Sequence, residues 1–351
     1  MMRCRIVSIK NKKMSKKIRI AINGFGRIGR AALKVAMEKD DVAVVAINDL
    51  ADTKTLAHLL SYDTVYGRYE RPVSATVEAL VIENEQIPVF AIPDPQNIPW
   101  RDYDVDVVLE CTGRFVKGDA ARAHVRAGAR RVILSAPPKN ETGMPTYLIG
   151  VNADRYAGNE DVISNASCTT NCIAPVAAVM HEKFGVLKAM MTTIHSYTSD
   201  QRLQDAPHGD LRRARAAAHN IVPTTTGAAL ATAHVVPGLR DRFDGLSIRV
   251  PTIVVSLSDF TFLLKKDVRV EDVNAALTAA ATSPSYEGVL GVTDEPLVSS
   301  DFIKDPRSGI VDLSLTRVVD GNMVKVIAWY DNEWGYANRL VELAQRVGSF
   351  L

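Results

Sequence analysis

The densest run of chemically capable residues is Ser164-Asn165-Ala166-Ser167-Cys168-Thr169-Thr170-Asn171-Cys172, followed by an apolar, helix-like stretch from Ile173 to Phe184. A cysteine in that position stands at or just inside a helix N-terminus. Free amides and the helix dipole stabilise a thiolate there, and the thiolate is the nucleophile. Such a nucleophile needs a base. Ala189 to Thr193 reads as a strand running into Ile194-His195-Ser196-Tyr197, which puts His195 near a strand end, where side chains reach clefts. An imidazolium beside Cys168 would lower the thiol pKa further, and the imidazole would shuttle a proton. Taken alone, His195 also fits a satisfied core histidine. The remaining histidines, His58, His124, His181, His208, His219 and His234, have no comparable setting. Cys172, one helical turn beyond Cys168, stacks on the same face toward the interior and reads as structural. The alternative, a metal or disulfide site at Cys-x-x-x-Cys, has no second ligand cluster beside it.

A second constellation stands nearer the start. Ile18 to Asn23 is a short apolar run fit for a buried parallel strand, and Gly24-Phe25-Gly26-Arg27-Ile28-Gly29 follows at once. Arg30 to Lys39 has helical composition, and Val42 to Ile47 is strand-like and ends at Asn48-Asp49. Gly24 permits the tight turn, Gly26 lets backbone approach a pyrophosphate, and Gly29 lets helix and strand pack closely. Amides at the helix start face the phosphates. Asp49, about 20 residues beyond the last glycine, is placed to accept from ribose hydroxyls. A carboxylate there repels a 2′-phosphate, which favours NAD over NADP. The bland alternative is an ordinary turn in a βαβ unit.

These groups need a scaffold. Val105 to Leu109 and Val132 to Leu134 read as further buried strands, with a helix-like Asp119 to Ala127 between them. The turns after them, Thr112-Gly113 and Ser135-Ala136-Pro137, fall at carboxyl ends of parallel strands and so line a cofactor cleft, although Ser135 also fits a plain turn. Farther on, Ser247 to Val250, Val254 to Phe262, Val311 to Leu315 and Val324 to Tyr330 are strand-like, Val270 to Ala281 is one amphipathic helix, and Tyr336 to Val347 is helical. At 351 residues the chain has room for roughly two domains. Hydrophobic residues at 47% and charged residues at 23% exclude disorder and collagen-like order. No apolar run is long enough to span a bilayer, so the expectation is a soluble chain without a membrane partner. Net charge is +2, but Arg3, Arg5, Lys10, Lys12 and Lys13 form a basic leader without an acid, leaving 37 basic against 40 acidic residues beyond it. So nearly neutral a body gives no field for nucleic acid. The leader reads as a disordered tail or an overextended start ahead of Met14, with organelle targeting as the alternative. Four cysteines make no disulfide framework; Cys111 ends an apolar run and reads as a buried small hydrophobe, and the compartment is expected to be reducing and cytoplasmic.

Several stretches resemble the phosphorylating glyceraldehyde-3-phosphate dehydrogenases of bacterial type: Asn23 to Arg30, Ser164 to Cys172, Thr193-Ile-His-Ser-Tyr-Thr198, Asp210 to Ala218, Pro223-Thr-Thr-Thr-Gly-Ala-Ala229 and Trp329-Tyr-Asp-Asn-Glu-Trp-Gly-Tyr336. They fall in family order from about residue 17 to 340. The resemblance implies an α/β fold. An N-terminal Rossmann-type doubly wound domain (17–167) precedes an α+β catalytic domain on a mixed or antiparallel sheet (168–331). A C-terminal helix (332–351) packs back on the first domain, and the leader (1–16) stands outside both. It implies that Cys168 attacks an aldehyde, that His195 takes the hydroxyl proton while hydride passes to NAD, and that inorganic phosphate cleaves the thioester. By motif match, two anion pockets involve Ser167, Thr169, Thr198, Thr226, Gly227 and Arg249, whose fork suits a phosphate. Arg213 is a further candidate. Asn332 matches the residue that holds the nicotinamide carboxamide, and Arg27 and Ile28 match pyrophosphate contacts. No metal is implied. The segment from about Tyr197 to Asn220 resembles the family's loop at a homotetramer interface. Leu50 and Pro207 look like NAD users, whereas Ala206 looks like the dual-specificity type, leaving some NADP use open. Pro93 and Leu230 depart from a familiar arginine and lysine. The rival substrate within the fold is erythrose 4-phosphate, and a different class is a binding protein that keeps the fold without the chemistry.

Overall fold

The computed structural model of the protein describes residues 16–138 and 144–351. The basic leader, Cys4 and Met14 lie outside the described residues. The first part of the chain forms β1 (Ile18–Asn23), α1 (Arg27–Ala36), β2 (Val42–Asn48), α2 (Thr53–Ser61), the short strands β3 (Tyr62–Asp63) and β4 (Gly67–Arg68), β5 (Val73–Ala75), β6 (Ala79–Ile82), β7 (Glu85–Phe90), β8 (Val107–Glu110), α3 (Gly118–Arg126), β9 (Arg131–Leu134) and β10 (Val162–Ser164). The rest forms α4 (Cys168–Phe184), β11 (Val186–Ser196), β12 (Val222–Thr225), α5 (Ala228–Val235), β13 (Phe243–Val250), β14 (Ser256–Leu264), α6 (Val270–Ala281), β15 (Leu290–Thr293), β16 (Gly309–Asp312), β17 (Arg317–Val319), β18 (Met323–Tyr330) and α7 (Trp334–Gly348).

The first sheet has the order β10-β9-β8-β1-β2-β7-β6-β5. From β10 to β7 every pairing is parallel; β6 and β5 close the edge antiparallel. Its central strands are continuous apolar runs because both faces are covered. One face packs Ile20, Ile22 and Leu109 against Leu33 of α1 and Leu340, Val341 and Ala344 of α7. The other packs Ala21, Val108 and Val132 against Trp100 and Ala121. α1 starts one turn earlier than its apolar residues indicate, because the backbone turns helical directly after Gly26. The second sheet runs β12-β13-β11-β14-β18-β16-β15, with β17 on β18. It is mixed: β11 is parallel to β13 and antiparallel to β14. Successive strand side chains alternate faces. Thus Ala189, Met191, Thr193 and His195 of β11 share the buried face with Phe260 and Phe262 of β14 and Val324 and Val326 of β18. α4 and α6 pack there through Ile173, Val176, Met180, Val273 and Leu277. Pro175 lies inside α4 without ending it, although proline forfeits a backbone bond one turn back.

α7 belongs to the same apolar cluster as β1 and α1, so the end of the chain holds the start. Leu340→Ala is expected to cost about 2–5 kcal/mol of stability. A urea midpoint unchanged at fixed protein concentration would refute that packing.

Candidate active site

Cys168 is the first residue of α4. Ser167 caps the helix, its Oγ accepting from the Thr170 amide at 3.1 Å. Ala166, fully buried, takes a left-handed φ of 52°, a conformation that costs an alanine about 1–3 kcal/mol. It is pinned from both sides: its amide donates to Ser164 Oγ at 2.9 Å and its carbonyl accepts from the Tyr336 hydroxyl of α7 at 2.9 Å. That sharp turn delivers Cys168 to the sheet. His195 arrives by alternation along β11, on the face that α4 covers, and Cys168 Sγ lies 3.5 Å from His195 Nε2.

The register of the parallel pair β11–β13 sets Arg249 beside His195. Arg249 Nη1 donates to the Ser196 carbonyl at 3.1 Å and lies 3.0 Å from His195 Nδ1. The Ser196 carbonyl, which can only accept, makes the shorter contact with Nδ1 at 2.7 Å, so we assign the ring proton to Nδ1, with Arg249 Nη1 donating to the same carbonyl and the Nε2 lone pair facing the sulfur. Burial, and then the Arg249 cation, push the His195 pKa down to about 3. That direction favours a neutral ring over the expected imidazolium, and it sets the Arg249 cation beside the sulfur as a further positive charge. Burial pushes the Cys168 thiol up, while Arg249 and hydrogen bonds from Thr169 pull it down. Burial of both groups thus favours the neutral pair, with the proton on sulfur and a ring lone pair next to it.

Below this pair lies Tyr330, at the end of β18. Its hydroxyl bonds Thr169 Oγ1 at 2.9 Å and Thr193 Oγ1 at 2.8 Å, tying α4 to β11. Sequence reasoning gave Tyr330 no role, although it stands in the Trp329-to-Tyr336 stretch and is the last inward residue of a strand. The Thr169 hydroxyl is thereby held between Tyr330 and the Cys168 sulfur. Ser167 and Thr198 stand at the site: Thr198 Oγ1 is 3.4 Å from Arg249 Nη1, and Arg249 Nε is buried without a partner among the described residues. Thr226 Oγ1 accepts from the Ala228 amide at 3.2 Å, and Gly227 caps α5 with open space where a Cβ would stand. Arg213 does not offer a free charge. Its guanidinium bonds Asp200 at 2.6 Å and Thr224 Oγ1 at 2.9 Å.

The cofactor candidates gather at the carboxyl ends of β1, β2 and β8, around a cleft of about 280 Å³ lined by Gly24, Gly26, Asp49 and Thr112 among others. Gly24 has φ +90°, and a Cβ there would lie 2.8 Å from the Thr112 amide. A Cβ on Gly29 would stand 2.2 Å from the Gly24 carbonyl, whereas one on Gly26 would meet nothing within 4 Å. Two glycines are thus required by protein packing, and the middle one leaves space that a ligand would fill. Asp49 is oriented by amides of Phe25 at 2.7 Å and Ala51 at 2.9 Å. The Arg27 guanidinium turns away to Glu333 and Asp63, so toward the cleft α1 offers the amides of Arg27 and Ile28. Ser135, whose amide donates to the Glu110 carbonyl at 3.0 Å, stands after β9. Asn332 is buried at the start of the turn into α7, its Oδ1 accepting from Ser256 Oγ at 3.0 Å. His124, set aside in the sequence, is fully buried and bonded to Glu110 and Trp100. No group of three or more metal-capable side chains occurs among the described residues.

Two family models match in order. The NAD binding domain of glyceraldehyde 3-phosphate dehydrogenase covers residues 18–118, and the C-terminal domain of the same enzyme covers 167–332. The chain is 52% identical over 333 residues to glyceraldehyde-3-phosphate dehydrogenase of Geobacillus stearothermophilus, spanning 95% of this chain and 98% of that protein. It is 54% identical over 327 residues to glyceraldehyde-3-phosphate dehydrogenase 1 of Bacillus cereus, spanning 93% and 97%. Against glyceraldehyde-3-phosphate dehydrogenase of Streptomyces coelicolor the identity is 50% over 336 residues, spanning 95% and 99%. A thiol and a neutral imidazole in bonding distance, a glycine turn with one open glycine, and these matches along nearly the whole length lead to one conclusion: the chain belongs to the glyceraldehyde-3-phosphate dehydrogenase family.

Proposed function

We propose that this chain carries out the NAD-dependent oxidative phosphorylation of D-glyceraldehyde 3-phosphate to 1,3-bisphosphoglycerate, with Cys168 as nucleophile and His195 as proton carrier. The observation that carries the reading is the 3.5 Å approach of Cys168 Sγ to the His195 Nε2 lone pair at a helix N-terminus. As the sulfur adds to the aldehyde carbon, the thiol proton leaves through Nε2 to the carbonyl oxygen, giving a neutral thiohemiacetal. In the oxidation His195 takes that hydroxyl proton, and a thioester remains on Cys168. An oxygen of inorganic phosphate then attacks the thioester carbon. The carbon–sulfur bond breaks, the acyl phosphate leaves, and the sulfur recovers its proton from His195.

NAD, when bound, supplies the hydride acceptor. The open side of Gly26, the free amides at the start of α1 and the oriented Asp49 carboxylate fit a pyrophosphate and a ribose diol. Ser135 and Asn332 complete the cofactor set in this reading. Ser167, Thr169, Thr198, Thr226, Gly227 and Arg249 serve the two anion sites, Thr198 standing beside Arg249; the unpartnered Arg249 Nε is a donor waiting for an oxyanion. The boundary between a cofactor-binding part and a catalytic part falls before Cys168. A homotetramer is supported by Leu203, Leu211 and Ile221, which expose 83%, 82% and 70% of their surface in the single chain. Cytoplasmic location accords with this metabolic role, and no helix among the described residues is long and apolar enough to cross a membrane. The erythrose 4-phosphate alternative is not favoured, because the relatives at about half identity carry the glyceraldehyde-3-phosphate name. A fold kept only for binding would have no need of the paired thiol and imidazole.

Cys168→Ser should lower NADH formation, read at 340 nm, to below about 10⁻³ of wild type while NAD affinity holds within about twofold. Undiminished turnover would remove the mechanism. Iodoacetamide should alkylate Cys168 faster as pH rises above neutral, because burial keeps the thiol protonated. Since the Arg249 cation lowers the thiol pKa, Arg249→Met should slow that alkylation about three- to tenfold at pH 7; a faster reaction contradicts the assigned charge. Asp49→Ala should shift the NADP-to-NAD preference toward NADP by about tenfold, and an unmoved ratio would sink the ribose role.

A further inference from the structure

Asn23 and Glu110 end β1 and β8 and face each other in register. The chain leaves β1 for β2 on one side and reaches β8 on the other, which is where open parallel sheets form their ligand crevice. Under that crevice lies a carboxylate with almost no exposure. Glu110 Oε2 accepts from Asn23 Nδ2 at 2.5 Å and lies 3.0 Å from His124 Nε2. Its Oε1 accepts from the Thr112 amide at 2.8 Å and from the Thr112 hydroxyl.

The His124 tautomer follows from chemistry alone. The Trp100 indole N–H can only donate, and it points at His124 Nδ1 at 2.9 Å. Nδ1 is therefore the acceptor and the proton sits on Nε2, aimed at Glu110. The other tautomer would set two N–H groups against each other and a lone pair against the carboxylate.

The residues that Glu110 holds are the walls of the glycine turn. Asn23 immediately precedes Gly24 and accepts through Oδ1 from Asn48 Nδ2 at 2.7 Å. Thr112 is the opposite wall, its amide standing 2.8 Å from where a Gly24 Cβ would be. Both walls are fastened to one carboxylate, and that carboxylate is oriented by one ring. We infer that His124 and Trp100 are positioning residues for the dinucleotide cleft, setting through Glu110 the gap between Gly24 and Thr112. This rests on the cofactor reading proposed above.

Trp100→Phe removes the indole donor and keeps an aromatic ring. His124→Leu removes both ring nitrogens, while His124→Gln can still accept from Trp100 and donate to Glu110. In ¹⁵N-histidine spectra of the cofactor-free protein, His124 should be the Nε2–H tautomer in wild type, and in Trp100→Phe, where Glu110 still holds that proton, its Nδ1 resonance should lose the shift of a hydrogen-bonded acceptor. NAD dissociation constants from fluorescence quenching should rise about tenfold in Trp100→Phe and His124→Leu. His124→Gln should return to within about threefold of wild type, and Cys168 alkylation should stay within about twofold in all three. An Nδ1–H tautomer in wild type, unmoved dissociation constants, or equal weakening in the Gln and Leu variants would overturn the inference. Wild-type protein that binds no NAD would overturn the cofactor reading along with it, whereas wild-type binding with unmoved variants overturns this inference alone.

Discussion

The proposed reacting pair depends on a histidine kept neutral inside the protein. A ring nitrogen can accept a proton only if it is free of one, and at His195 burial and the Arg249 cation secure that state. The Ser196 carbonyl then decides which nitrogen stays free, by drawing the ring proton to Nδ1. Everything else at the site follows from where those three groups stand. His195 faces inward because β11 alternates; Arg249 stands beside it because β13 is in parallel register; Cys168 meets them because the left-handed turn at Ala166 starts α4 at that point.

The cofactor cleft is built on the same logic of fixed backbone and a few fixed dipoles. The strands end together, so their last residues, Asn23, Asn48 and Glu110, can bond one another instead of water. Buried polar groups bonded in this way hold a rigid floor, whereas one left unpaired would cost about 1–3 kcal/mol. On that floor a glycine turn can run with φ +90° against the Thr112 backbone. α7 joins the two regions: it packs on α1, and its Tyr336 reaches the Ala166 carbonyl just before Cys168.

What the sequence made legible was local. The glycine turn, the cysteine after small polar residues and the histidine at a strand end are contiguous patterns, and each stands where its pattern indicated. α6 runs from Val270 to Ala281, the stretch whose apolar spacing indicates a helix. The state of His195 was not legible, because it depends on Arg249, 54 positions away, brought near by a strand pairing that no periodicity encodes. His124 looked like any helix residue, since its meaning comes from Glu110 and Trp100, neither adjacent to it in sequence. Arg213 and Arg27 show the converse. As sequence Arg213 was a phosphate candidate and Arg27 a match to a pyrophosphate contact; in the fold their charges are paired with Asp200 and with Glu333 and Asp63.

A neutral pair also bears on the order of events in the proposed reaction. Charge separation into thiolate and imidazolium is opposed by burial of both groups. The same cation that favours the thiolate disfavours the imidazolium, so Arg249 alone cannot drive the proton across. An oxyanion bound at the unpartnered Arg249 Nε would offset that cation and relieve its pressure on the ring. The base would then gain strength as the anionic substrate arrives. Sulfur would be deprotonated in concert with attack on the carbonyl carbon, and the ring would carry its proton only while an acceptor oxygen is at hand. In such a site the charge that favours the thiolate also opposes the proton's move to the ring, and an anion bound at Arg249 is what would lift that opposition.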